Sequence, residues 1–135
     1  MSKYRELAQT LRDDPDVHYS CSRAVLMAFC EEAGMSREMA WRVAANFNAG
    51  MRTGSVCGAM TGGLMVLGLF GLDDQASVTG FLNRMKAGHD GMSDCVDLLR
   101  VNAQRGGQKK PHCDAMVYEA VGILEEMLRD AGKIE

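Results

Sequence analysis

The chain has 135 residues, 47% hydrophobic and 24% charged, with a net charge of −3. That is one domain's length and an ordinary globular composition. The acidic balance argues against bulk binding to nucleic acid or to a membrane surface, because it offers neither a basic stripe.

Taken in order, Ser2 to Asp13 carries Leu7 and Leu11 at helical spacing with charges between them. Asp14-Pro15 ends this first helix, since a residue before proline avoids the helical region. Ser20 is a good N-cap for a second helix running through Ala24, Val25, Ala28 and Phe29 to a stop at Gly34. Ser36 caps a third, with Met39, Ala40, Val43 and Phe47 on its apolar face, fraying at Asn46–Gly50. A glycine-rich loop then leads to Cys57.

The stretch from Gly54 to Gly68 is the centre of the chain. It places Cys57 at the head of an apolar run and spaces Gly54, Gly58 and Gly62 four apart, with no charge between Arg52 and Asp73. Thr53 to Leu72 is long enough for a membrane span, but its many glycines favour a buried helix that lets neighbours come close. Gly71-Leu72-Asp73-Asp74 reads as a turn with an acidic N-cap. It opens a fifth helix holding Val78, Phe81, Leu82 and Met85 and ending at Gly88. Ser93 caps a sixth, with Cys95, Leu98, Leu99 and Asn102 on one face. Gly106–Lys110 reads as a linker, and Pro111 as the first position of a last helix bearing Cys113, Met116, Val117, Ala120, Leu124 and Met127. No period-2 strand is present. The expected fold is all-α: one helical domain over 1–135, a bundle of about six to seven helices around the central glycine-rich helix. Eleven methionines suit such packing.

The N-terminal residues lack an apolar stretch, which argues against secretion and for a cytoplasmic setting. There, five cysteines point to metal or redox chemistry ahead of structural disulfides. Cys21, Cys57, Cys95 and Cys113 each fall in or just before the first turn of a different predicted helix. Cys30 lies inside one, on the opposite face from Cys21 and about 13.5 Å along the axis, too far for a bridge. It reads as a small buried hydrophobe. A helix N-terminus favours an anion by about 0.3–1 kcal/mol, enough to bring a thiol from near 8.5 to near 8. Two bare thiolates about 4 Å apart would repel by about 4 kcal/mol. A converged set must therefore stay protonated, pair, or hold a metal. The absence of Cys-x-x-Cys excludes the usual zinc-ribbon, thioredoxin and c-type haem signatures.

These cysteines carry a resemblance. Cys57-Gly58-Ala59-Met60-Thr61-Gly62 matches the CGAxxG motif of the small bacterial family called C_GCAxxG_C_C, described as redox-active proteins with four characteristic cysteines. Cys21 at a helix start, and the later Cys95 and Cys113, fit its pattern, so the resemblance covers roughly Ser20 to Met127. Cys30 is extra to the family's four. Related domains occur beside a multihaem module, but no Cys-x-x-Cys-His is present here, so covalent haem is not implied.

Among other candidates, His18 and His112 stand close to Cys21 and Cys113 as aids to ionisation or as mixed ligands. Arg52, before Cys57, is placed to steady a thiolate or bind an anion at that helix start. His89 reads as a loop residue, and Trp41, Asp13-Asp14 and Glu31-Glu32 as packing or surface. No phosphate-loop motif is present.

Three functions follow. The first is a thiol redox or electron-transfer protein in which Cys21, Cys57, Cys95 and Cys113 form two exchangeable pairs, served by a redox partner protein. The second is an iron–sulfur or other metal module on the same four thiolates. The third is a non-catalytic helical interaction module, a homodimer through methionine-rich faces.

Overall fold

The structure is a computed structural model and describes residues 2–135. Among the described residues seven α-helices are present: α1 (Lys3–Arg12), α2 (Cys21–Phe29), α3 (Arg37–Val43), α4 (Gly58–Leu69), α5 (Gln75–Ala87), α6 (Cys95–Gln104) and α7 (Lys109–Asp130). Among the described residues there is no strand, only a single antiparallel bridge between Val56 and Asp94. The all-α expectation holds.

Four helices start where a short polar side chain closes the first turn. Ser2, Ser20, Ser36 and Asp74 accept from the backbone N–H groups of Arg5, Arg23, Met39 and Ser77. Each such cap is worth about 1 kcal/mol. Other boundaries differ from expectation. The second helix is α-helical only to Phe29 and finishes as a 3₁₀ turn, Cys30–Ala33, before Gly34 at φ +86°. The third stops at Val43, which frees Phe47 so that its carbonyl accepts from the Thr61 hydroxyl at 3.3 Å. Asp94 rather than Ser93 holds the cap position of α6, without a side-chain hydrogen bond, and the Ser93 carbonyl accepts from the Cys57 N–H at 2.8 Å. The Gly106–Lys110 linker is shorter than expected: α7 starts at Lys109, which makes Pro111 its third residue and not its first. Proline is still tolerated there, since first-turn N–H groups have no intrahelical acceptor.

The segment at the centre of the sequence is also at the centre of the fold. On α4, Ala59, Met60, Val66 and Leu67 are fully buried, and the helix packs against α2, α5 and α7. Its glycines set the spacing. A Cβ on Gly62 would stand 2.8 Å from the Ser22 carbonyl oxygen, and one on Gly58 3.2 Å from the Cys21 Cβ. A Cβ on Gly63 would meet the Phe81 ring at 2.2 Å. α2 and α4 therefore touch nearly backbone to backbone, the closest approach that small residues permit. Only twelve residues of the apolar run are helical, and among the described residues no helix is long and apolar enough to cross a membrane. Cys30 is completely buried, in keeping with its reading as a small hydrophobe.

An unusual turn leads into α4. Ala49, Gly50, Met51 and Arg52 follow one another at φ +50°, +64°, +57° and +61°, and the turn closes with the Ser55 N–H on the Gly50 carbonyl at 2.9 Å. Consecutive left-handed residues are costly for anything but glycine. At Gly50 glycine is required, since a Cβ would lie 2.3 Å from the Ser55 nitrogen.

Candidate functional site

The four site cysteines come from four helices. Cys21 is the first residue of α2, Cys57 the cap of α4, Cys95 the first residue of α6, and Cys113 the fifth of α7. Cys113 thus sits one turn deeper than the helix-start position expected of it, because α7 begins earlier. All four line one cavity of about 370 Å³, together with Leu98, Leu99 and Met116 as apolar wall. Gly58 and Gly62 put Cys21 and Cys57 side by side by letting α2 approach α4. A reciprocal pair of backbone bonds brings in the third: Cys57 N–H donates to the Ser93 carbonyl at 2.8 Å, and Cys95 N–H to the Ser55 carbonyl at 2.6 Å.

Arg12 completes the arrangement. Its Nε–H donates to Asp114 at 2.7 Å and its Nη1–H to the Tyr19 carbonyl at 2.9 Å, with the side chain almost wholly buried. Asp114 also accepts from Lys110 at 2.8 Å. The buried guanidinium is therefore held between the chain entering α2 and the residue after Cys113.

The thiols respond unequally. The neighbouring Cys21 thiol, aided by Arg12 and Lys109, draws Cys113 down to about 7 from an ordinary 9.0. The interaction with Cys113 raises Cys21 well above its ordinary value, and burial raises it further. Burial pushes Cys57 up to about 11, although the Ala59 and Met60 N–H groups point at it, and Cys95 is raised for the same reason. The expectation that helix starts would acidify these thiols is overturned. Desolvation exceeds the fraction of a kcal/mol that a helix end supplies. The site keeps one thiol poised as thiolate and three protonated, consistent with the repulsion that a cluster of bare thiolates would face.

No two cysteines are bonded; all five are free. Among the described residues, no three His, Cys, Asp or Glu side chains lie close enough to share a metal ion. As placed, the donors do not fit an iron–sulfur or zinc centre.

His18 and His112 both line the cavity, and burial lowers the affinity of His112 for a proton. Arg52 is not part of it: its guanidinium is exposed and donates to the Ala45 carbonyl at 3.3 Å. His89, expected as a loop residue, lies in the turn after α5 and its Nε2 shares a hydrogen bond with Glu119 at 2.8 Å. Four polar lining residues were not singled out from the sequence: Arg12, Asn48, Lys109 and Lys110. Nothing in the local pattern marks the last residue of an amphipathic helix as buried. Lys109 was hidden in a stretch that reads as linker.

An all-helical bundle that gathers four single cysteines around one cavity is an all-α cysteine-site protein. The chain belongs to the family described as "Putative redox-active protein (C_GCAxxG_C_C)", which matches residues 19–127 and so includes all four cysteines. No curated protein and no solved structure matches it. Arg12 lies outside the matched region.

Proposed function

We propose that this protein carries out thiol–disulfide exchange, with Cys113 as the attacking thiol and Cys21 as the thiol that resolves the mixed disulfide. The observation that carries this reading is the placing of Cys21 and Cys113 in one cavity beside a buried Arg12, each thiol the strongest influence on the other's ionisation. Exchange needs a thiolate, best with a pKa near ambient pH, and a second thiol within reach. Cys113 supplies the first and Cys21 the second. Cys57 and Cys95, tied together through the Val56–Asp94 bridge, form the second pair and accept the oxidising equivalents when Cys21–Cys113 passes them on.

The test is thiol counting. Reduced protein treated with mild oxidant is expected to lose two thiols first, with mass spectrometry locating a Cys21–Cys113 bridge. Cys113→Ser is expected to abolish that step, and Cys21→Ser to trap a mixed disulfide on Cys113. An unchanged thiol count after oxidation sinks the proposal.

A further inference from the structure

The cavity also has a charge and a shape, and they select among disulfides. We propose that its substrate is a small disulfide bearing an anionic group, such as a carboxylate, and not an exposed disulfide of another protein; this rests on the thiol-exchange reading above.

Three observations carry the inference. The first is size: about 370 Å³ is the volume of a small-molecule pocket, and the thiols sit inside it. The second is charge. The chain as a whole is acidic, with 18 Asp and Glu against 15 Lys and Arg, yet among the described residues no Asp or Glu lines this cavity. Arg12, Lys109 and Lys110 do. Asp114 offsets Arg12 and Lys110, but among the described residues no ion pair involves Lys109. Lys109 acts on both Cys113 and Cys95, which puts its charge at the reacting end of the pocket. The third is Asn48, which lines the cavity and whose side-chain oxygen is buried with no partner. A buried acceptor without a donor calls for an explanation, and a ligand N–H or O–H would supply one. The pocket thus offers a cation, an acceptor and an apolar wall around a thiolate.

The reaction balances without another component. The Cys113 thiolate attacks one sulfur of the small disulfide, forming a Cys113–S–S–R bond and expelling RS⁻. Cys21 then gives up its proton to that RS⁻ and attacks the Cys113 sulfur. The Cys21–Cys113 bond forms and the second RS⁻ leaves. Two protein thiols are oxidised and one small disulfide is reduced to two thiols.

The experiment compares three probes of similar size: 3,3′-dithiodipropionate with two carboxylates, neutral bis(2-hydroxyethyl) disulfide, and cystamine with two ammonium groups. Thiol loss is followed by stopped flow at low and high salt. A thiolate on an acidic protein with no pocket would favour cystamine. The expected order is the reverse, with the dicarboxylate about tenfold faster than the neutral probe, the scale of one charge pair a few ångströms apart in a partly screened site. High salt is expected to narrow the gap. Lys109→Glu, at an exposed helix start that accepts a carboxylate readily, is expected to abolish or invert the order. Lys133→Glu, away from the cavity with the same charge change, is expected to leave it intact. If all three probes react at one rate, if cystamine leads, or if both variants behave alike, the anionic specificity is wrong while thiol exchange stands. If none of the three consumes thiols, both proposals fall.

Discussion

Arg12 and Asp114 stand 102 positions apart in the chain and 2.7 Å apart in space, and their pairing fixes the charge that Cys113 meets. Replacing Arg12 with Gln removes the cation while leaving a side chain of similar length. The Cys113 thiol is expected to titrate above about 7, moving towards its ordinary 9.0. The measurement is the pH dependence of iodoacetamide modification at Cys113 read by peptide mass spectrometry. Arg12→Lys is expected to recover part of the shift, and both variants to lose about 1–3 kcal/mol because Asp114 keeps only Lys110. An unmoved titration midpoint in Arg12→Gln would show that Cys21 and Lys109 hold the thiol down without Arg12.

The buried thiols predict an alkaline limit to stability. Cys57 titrates near 11 when folded and near 9.0 when exposed by unfolding, so its contribution is complete below 9 and disappears as the pH climbs through 11. For a group this buried the loss is roughly 2–3 kcal/mol. Cys113 runs the other way: its folded form ionises first, so the stability it adds is complete above about 9 and is given up as the pH falls from there through 7. Urea unfolding from pH 7 to 11 is expected to show a decline above 9 that Cys57→Ala makes shallower, with Cys21 and Cys95 supplying the rest. An identical decline in that variant would move the cause to another group.

The contact between α2 and α4 has little tolerance. Alanine at Gly62 improves local helix propensity by about 1 kcal/mol, but its methyl would fall 2.8 Å from the Ser22 carbonyl oxygen, which is backbone and cannot swing aside. Overpacking of this kind is worth about 1–3 kcal/mol, so a net loss is expected in thermal or urea unfolding. Because Ser22 follows Cys21, the same change is expected to slow formation of the Cys21–Cys113 bridge.

Much of the fold was legible from the chain because its signals are local. Ser20, Ser36 and Asp74 are short polar residues ahead of apolar periodicity, and each closes a helix where that pattern puts it. The cysteine set around Cys57 was legible as well. What could not be read depends on burial. A helix end alone would lower the Cys57 thiol, whereas its neighbours leave it 6% exposed and burial raises it. Arg12 looks like any basic residue in a last turn, and only the docking of α1 on α7 takes it out of water. Arg52 failed for a related reason. The left-handed turn carries its guanidinium to the Ala45 carbonyl, a direction that proximity to Cys57 in sequence does not reveal.

That turn supplies a stabilising substitution. Met51 is exposed at φ +57°, so Met51→Gly loses little packing and removes a left-handed strain of about 1–2 kcal/mol, partly offset by the greater freedom of glycine when unfolded. A gain of about 0.5–1 kcal/mol in urea unfolding is expected, with the Cys113 titration unchanged. A loss instead would mean the Met51 side chain contributes more than its exposure suggests.

Cys30, sealed in the core and remote from this chemistry, gives the protein an internal reporter. A thiol reagent reaches it only when the bundle opens, so its slow labelling, timed against the rapid labelling of Cys113, measures the free energy of opening in native buffer. One chain thus carries both a reactivity probe and a stability probe, and a single time course separates variants that disable the site from those that loosen the fold.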